Sequence, residues 1–243
     1  LYTLADVAIS ATFYSYWALP PAWPTALVDG WIPANVTWTY ASPTTFTIAG
    51  ADYSLLLTVG TKLKLTQTTV KYFYVTAVTF STDTTVTVSG GSDYSLANAA
   101  IVTPYFSRIA SPAGFPDWFN YTPTGPTTNA TLTGRFRLDG RHCFCKIHMA
   151  CAGAITWAAM PSLPITAADG LTTYDDGDAD LAQAGGEGGY FDNGTATVLG
   201  TTYASVPSSS STVVLTTAAG ANWSATVPIT WANLDAFSVQ FHY

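Results

Sequence analysis

Charge is what this sequence has least of. Asp, Glu, Lys and Arg make up 9 % of its 243 residues, against about 25 % in an ordinary soluble domain. There is a single Glu, at position 187, and no Lys or Arg follows Lys146. The eight bases all lie between Lys62 and Lys146, whereas eight of the fifteen acids lie beyond Ile147. A stretch from Ile147 onward with no Lys or Arg lacks the clustered cations that displace counterions from nucleic acid, so no nucleic-acid partner is expected. No apolar run approaches the ~18 residues that span a bilayer, so no membrane insertion is expected. No basic segment followed by an apolar stretch opens the chain, which predicts no signal peptide. Position 1 is Leu, and the chain is expected to be processed or to be a piece of a longer protein.

Catalytic groups are equally sparse. Glu187 stands in the Gly-rich run Gly185-Gly-Glu-Gly-Gly189, a poor setting for the raised pKa that a glycosidase acid needs. There is no Gly-x-Ser-x-Gly elbow for a nucleophilic serine. His142, His148 and His242 fall in strand-like stretches, where a lone His is a surface or core residue more often than a catalytic one. No catalytic residue, cofactor site or metal site is therefore predicted.

The three cysteines are confined to Arg141-His-Cys-Phe-Cys-Lys-Ile-His-Met-Ala-Cys151. With a strand period of two, Cys143, Cys145, Ile147, Met149 and Cys151 share one face and His142, Phe144, Lys146 and His148 the other. Cys and His then point apart, which disfavours a metal site and predicts three buried thiols. An odd number of free thiols suits assembly in a reducing compartment.

What the chain has instead is Thr, Ser and aromatics, among them eight Trp and fourteen Tyr. Thr suits a pleated surface through its branched Cβ. Alternating runs predict strands at Val36–Tyr40, Thr45–Ile48, Lys62–Thr66, Val70–Phe80, Thr84–Val88, Thr131–Leu138, His142–Ala150, Thr195–Val198, Thr212–Thr216, Ala225–Ile229 and Phe237–Tyr243, and no helix. Thr44-Thr-Phe-Thr-Ile-Ala-Gly-Ala-Asp-Tyr-Ser-Leu55 is echoed by Thr84-Thr-Val-Thr-Val-Ser-Gly-Gly-Ser-Asp-Tyr-Ser-Leu96. Two copies are too few for a solenoid and predict paired strand-turn units of a small barrel. The fold expected is all-β. An extended N-terminal docking arm occupies 1–30, a small β-barrel lobe 31–121, a linker 122–127, and a β-sandwich (jelly-roll-like) head 128–243. The aromatic, Pro-rich stretch from Pro104 to Pro126 is expected to pack down between the lobes.

One polar cluster stands out. Tyr174-Asp-Asp-Gly-Asp-Ala-Asp180, continuing through Glu187 and Tyr190 to Asp192, carries acids around glycines. Its spacing lacks the bidentate Glu of an EF-hand, so a solvated loop is favoured over a Ca²⁺ site. This makes Tyr174, Asp175, Asp176, Asp178, Asp180, Glu187, Tyr190 and Asp192 the candidate ligand-facing loop. The aromatic residues offer a second possibility, a sugar-stacking surface, set against plain core and interface packing. The five Asn-x-Ser/Thr sequons at Asn35, Asn120, Asn129, Asn193 and Asn222 matter only for a protein secreted by a eukaryote, which the free thiols oppose.

Asp29-Gly-Trp-Ile-Pro-Ala-Asn-Val-Thr-Trp-Thr-Tyr40, Val59-Gly-Thr-Lys-Leu-Lys-Leu-Thr-Gln-Thr-Thr-Val-Lys-Tyr-Phe-Tyr-Val75, Ser92-Asp-Tyr-Ser-Leu-Ala-Asn-Ala-Ala-Ile101 and Gly114-Phe-Pro-Asp-Trp-Phe-Asn120 form a series. It resembles a module of tail-fibre, head-fibre or decoration proteins, minor virion proteins of tailed bacteriophages. Tyr190-Phe-Asp-Asn-Gly-Thr195 and Pro228-Ile-Thr-Trp-Ala-Asn-Leu-Asp-Ala-Phe-Ser-Val239 resemble the closing strands of C1q-like or jelly-roll heads. The resemblance implies a virion component made in the bacterial cytoplasm, a homotrimer, contacts with other virion proteins, and a tip able to meet a host surface glycan or protein. It carries no catalytic residue and no cofactor. Two other expectations stand beside it: a purely architectural capsid or tail component, and a carbohydrate-binding module of a bacterial enzyme.

Overall fold

The computed structural model describes residues 29–126, 128–167, 186–195, 197–207 and 209–243. Their regular structure is fourteen strands in two antiparallel seven-stranded sheets. The first sheet contains β1 (Ile32–Pro33), β2 (Thr39–Ser42), β3 (Thr45–Ile48), β4 (Lys62–Gln67), β5 (Thr69–Phe80), β6 (Thr84–Ser89) and β7 (Val102–Ser107), in the order β1-β7-β4-β5-β6-β3-β2. The second contains β8 (Phe119–Tyr121), β9 (Thr128–Asp139), β10 (His142–Thr156), β11 (Gly186–Asp192), β12 (Thr197–Ser205), β13 (Val214–Thr217) and β14 (Ala236–His242), in the order β13-β12-β11-β14-β10-β9-β8. The protein is all-β, and a barrel lobe followed by a sandwich lobe is consistent with this arrangement. The expected arm lies outside the described residues up to Val28.

The echoed segments become neighbours. β3 pairs with β6 in the register Thr45↔Thr87, Phe46↔Val86 and Ile48↔Thr84. Their turns interlock, since buried Thr84 donates Oγ1–H to Ala51 O at 2.6 Å and accepts Tyr53 N–H at 2.9 Å. Phe73 and Val75 of β5 face a core with Phe46, Leu63, Leu65, Val86 and Val88. A register shift at Thr76 then reverses the alternation, so Val78 joins that same core. That one-residue slip is what a bulge does to every later side chain.

The other flank of β5 makes the seam between the sheets. Tyr72 and Tyr74, with Tyr94, meet Phe115 and Phe119 from the connecting segment and Phe136 from β9 at ring separations of 5.0–6.4 Å. Most are edge-to-face, the arrangement the ring quadrupoles favour. Backbone approaches backbone here. A Cβ on Gly91, whose φ is +60°, would stand 2.0 Å from Asn120 O, and Ser92 N–H donates to that oxygen at 2.8 Å. The aromatic stretch thus packs down as expected, and its end, β8, pairs with β9.

Strands also appear where the sequence predicts none. Pro104 lies inside β7, where Thr103 has φ +46° and the pairing with β4 shifts register; a bulge is where a strand tolerates Pro. β8 is too short for alternation to register. β11 runs through Gly186 and Gly188, whose added Cβ atoms would meet Phe241 Cβ at 2.2 Å and Ser238 O at 2.1 Å. Glycine there permits close approach of a neighbouring strand. Conversely, Ala225–Ile229 is not a strand: Trp231 Nε1–H bonds Ser224 O at 3.1 Å across it, leaving one bridge between Ser224 and Val227.

Candidate functional site

Among the described residues, one face of the second sheet is core and the other is open. Exposure alternates along β9, β10 and β14. The inner side chains, including Phe136, Ile147, Met149, Phe237, Val239 and Phe241, are covered by loop residues such as Trp223 and Trp231. The three thiols are buried and free on this inner side, with Cys143 Sγ 3.6 Å from Cys145 Sγ. Burial, with the neighbouring Asp235 carboxylate, pushes the Cys151 thiol up to about 11; burial likewise raises Cys145. Cys145 and Cys151 are thereby packing groups held in protonated form. His142 and His148 are on the opposite, exposed face, so Cys and His diverge as the strand period requires.

The open face carries a straight transverse row. Asn120, Arg135, Lys146, Gln240, Glu187 and Tyr203 are successive register partners from β8 to β12. All six are exposed. Arg135 Nε–H donates to Asn120 Oδ1 at 3.1 Å, and Asn120 Nδ2–H donates to Asp93 Oδ1 at 2.9 Å. Asp93 comes from the first lobe, so the seam holds the first member of the row in place. Lys146 Nζ lies 4.8 Å from the centre of the Trp118 ring, which Arg137 also covers at 5.2 Å. In the next row His148 Nδ1 and Ser238 Oγ share a hydrogen bond of 2.9 Å. Asn120, Arg135, Lys146, His148, Gln240 and Glu187 border a depression of about 580 Å³.

Of the residues predicted to form a ligand-facing loop, Tyr174, Asp175, Asp176, Asp178 and Asp180 lie outside the described residues. The other three are not in a loop. Glu187, Tyr190 and Asp192 belong to β11, hydrogen-bonded between β12 and β14. The strand also parts them. Glu187 faces outward, Tyr190 packs edge-on against Trp223 at 5.9 Å, and Asp192 Oδ1 accepts Gly194 N–H at 2.8 Å in the following turn. The acidic, Gly-rich composition read as solvated loop, whereas glycine here serves strand packing. Reasoning from the sequence missed Asn120, Arg135, Lys146 and Gln240 as a group. The alternation of β9, β10 and β14 was legible, but not the cross-strand register that aligns them.

No protein-family model, curated protein or solved structure matches this chain.

Proposed function

We propose that the protein is a structural component of a bacteriophage particle, of fibre-like or decoration type, assembled as a homotrimer against other virion proteins. The observation that carries the reading is a surface poorly equipped for a solitary life in water. The one ion pair among the described residues is Lys64–Asp29 at 4.0 Å. Val70 and Val102 are 47 % and 49 % exposed, side by side across Thr66 on the first sheet. Neighbouring copies would cover such a row, as obligate interfaces resemble a core cut in half. The sequence resemblance to virion modules and the free thiols support the same reading. Three linked copies would also multiply weak contacts at a host surface.

Sedimentation of the full chain at micromolar concentration tests it, with a trimer expected and Val70→Glu with Val102→Glu reducing it to monomer. A stable monomer of the parent chain removes the assembly reading. Immunogold labelling of intact particles separates an exposed fibre or decoration protein from a purely architectural one, whose label would appear only after disruption. A carbohydrate-binding module of an enzyme predicts no labelling of particles at all.

A further inference from the structure

We infer that the open face of the second sheet is a binding site for a carboxylate-bearing saccharide, with Arg135 and Lys146 receiving the carboxylate. The inference deepens the reading of the chain as a particle's surface protein and rests on it only for the source of the ligand.

Arg135 and Lys146 are direct partners across β9 and β10. Like charges directly opposite on a sheet repel and weaken it. Nine acids lie among the described residues, yet none of these carboxylates lies within 4.0 Å of either cation. The Asn120 amide oxygen takes only one of the five guanidinium donors of Arg135. Arg135 and Lys146 both line the depression, and an anion bridging them would turn a repulsive pair into charge-assisted hydrogen bonds.

The surroundings indicate more than a simple ion. About 580 Å³ falls within the ~300–1,000 Å³ of small-ligand sites. Beyond the cations the border includes Asn120, Thr133, His148, Glu187, Ser238 and Gln240, whose side chains donate to and accept from hydroxyls. Trp118 stands beside Lys146 as an amphipathic ring at the margin. Glu187 lies two register steps from Lys146, at the far end of the depression. Its carboxylate accepts hydroxyl hydrogens but repels a second acid, which orients the ligand with its carboxylate toward β9.

Calorimetry on the full chain tests the site with galacturonic acid trisaccharide, a glucuronic-acid oligomer and N-acetylneuraminic acid, each beside its methyl ester, and with inorganic phosphate. At least one acid is expected to bind, its ester about tenfold more weakly, and phosphate no better than the ester. Losing a hydrogen bond to a charged group costs about 1.5–3 kcal/mol. Arg135→Gln and Lys146→Gln should therefore each weaken binding about tenfold or more, with unchanged circular dichroism. Glu187→Gln should bind the acid at least as tightly as the parent. Failure of every acid to bind, equal binding of acid and ester, parental affinity in both cation variants, or phosphate binding as tightly as the saccharide would overturn the proposal. So would a change of oligomeric state in Arg135→Gln and Lys146→Gln, which would make the face an interface between copies. Because these readouts are taken in solution, they are independent of whether particles carry the protein.

Discussion

The central strands β5 and β10 face different worlds. Midway along β5 both flanks are apolar, with Phe73 and Val75 in one core and Tyr74 in the other. Along β10 burial alternates from His142 onward, thiols and aliphatics inward, Lys146 and His148 outward. The middle of the first sheet is thus spent on packing, against its own core on one side and against its neighbour on the other. The second has a face left for something else. Cations appear on both. In the first sheet Lys62 is buried, Lys64 meets Asp29, and desolvation lowers the pKa of both. In the second sheet Arg135 and Lys146 are exposed, with no acid within 4.0 Å among the described residues. The comparison locates function by what packing leaves unresolved.

The sharpest way to break it is to remove the shared seam. Phe119 is fully buried and touches Tyr74, Tyr94, Phe115 and Phe136. Phe119→Ala should cost about 3–5 kcal/mol, the usual loss for a large core aromatic. Denaturation followed by tryptophan fluorescence and by circular dichroism should then separate into two transitions, one per sheet. A single transition at the parent's midpoint would mean that Phe119 is not what couples them.

The same seam shows what a sequence can disclose. Long alternating strands were legible because one buried face imposes a period of two: Lys62–Gln67, Thr84–Ser89, Thr128–Asp139 and His142–Thr156 each contain a predicted run. Strands with breakers were not, because Pro104 is accommodated by a bulge and Gly186 and Gly188 by close strand contact, both tertiary circumstances. The candidate site suffered in the same way. Arg135 and Lys146 are eleven positions apart, and nothing local says that a turn at Gly140 sets them opposite each other. Acidic composition, by contrast, drew attention to Glu187 for a loop that it does not occupy.

A second break is confined to the second sheet. Asp235 is 1 % exposed, and its carboxylate accepts Asn193 N–H at 2.9 Å and Ala232 N–H at 2.6 Å. It ties the turn after β11 to the entry of β14. Asp235→Ala would leave two backbone donors without their acceptor, at a cost of about 2–4 kcal/mol. In a chain already uncoupled by Phe119→Ala, only the transition of the second sheet should move; a shift of both would contradict the confinement.

Alkali should weaken the seam and the inner face together. Burial holds Tyr74 at about 12 and Cys151 at about 11, above the ordinary values of 10.0 and 9.0. The folded state therefore keeps protons that the unfolded state releases. The resulting stability is complete below pH 9 and falls as pH rises through 11 and 12. Urea midpoints at pH 6, 7 and 11 should be equal between the first two and lower at the third. Native thiols should resist iodoacetamide at pH 8 and react once urea is added. A midpoint that rises with alkali, or rapid native alkylation, would place these groups in solvent.

The smallest effect belongs to the open face, and its sign is informative. Lys146→Gln removes repulsion from Arg135 and also removes the contact with Trp118. A like-charge cross-strand pair costs roughly 0.2–1 kcal/mol, and an exposed cation–π contact contributes about 0.5–1 kcal/mol. The two nearly cancel, so stability should stay within about 0.5 kcal/mol of the parent. Salt separates them. Repulsion between solvated cations is screened as the Debye length shrinks from about 10 Å at 0.1 M to about 3 Å at 1 M, whereas the ring contact is short and local. The parent should gain stability over that range, and Lys146→Gln should gain less. Equal salt responses would mean that the two cations do not feel each other, and that the open face has no charge left unresolved for a ligand to meet.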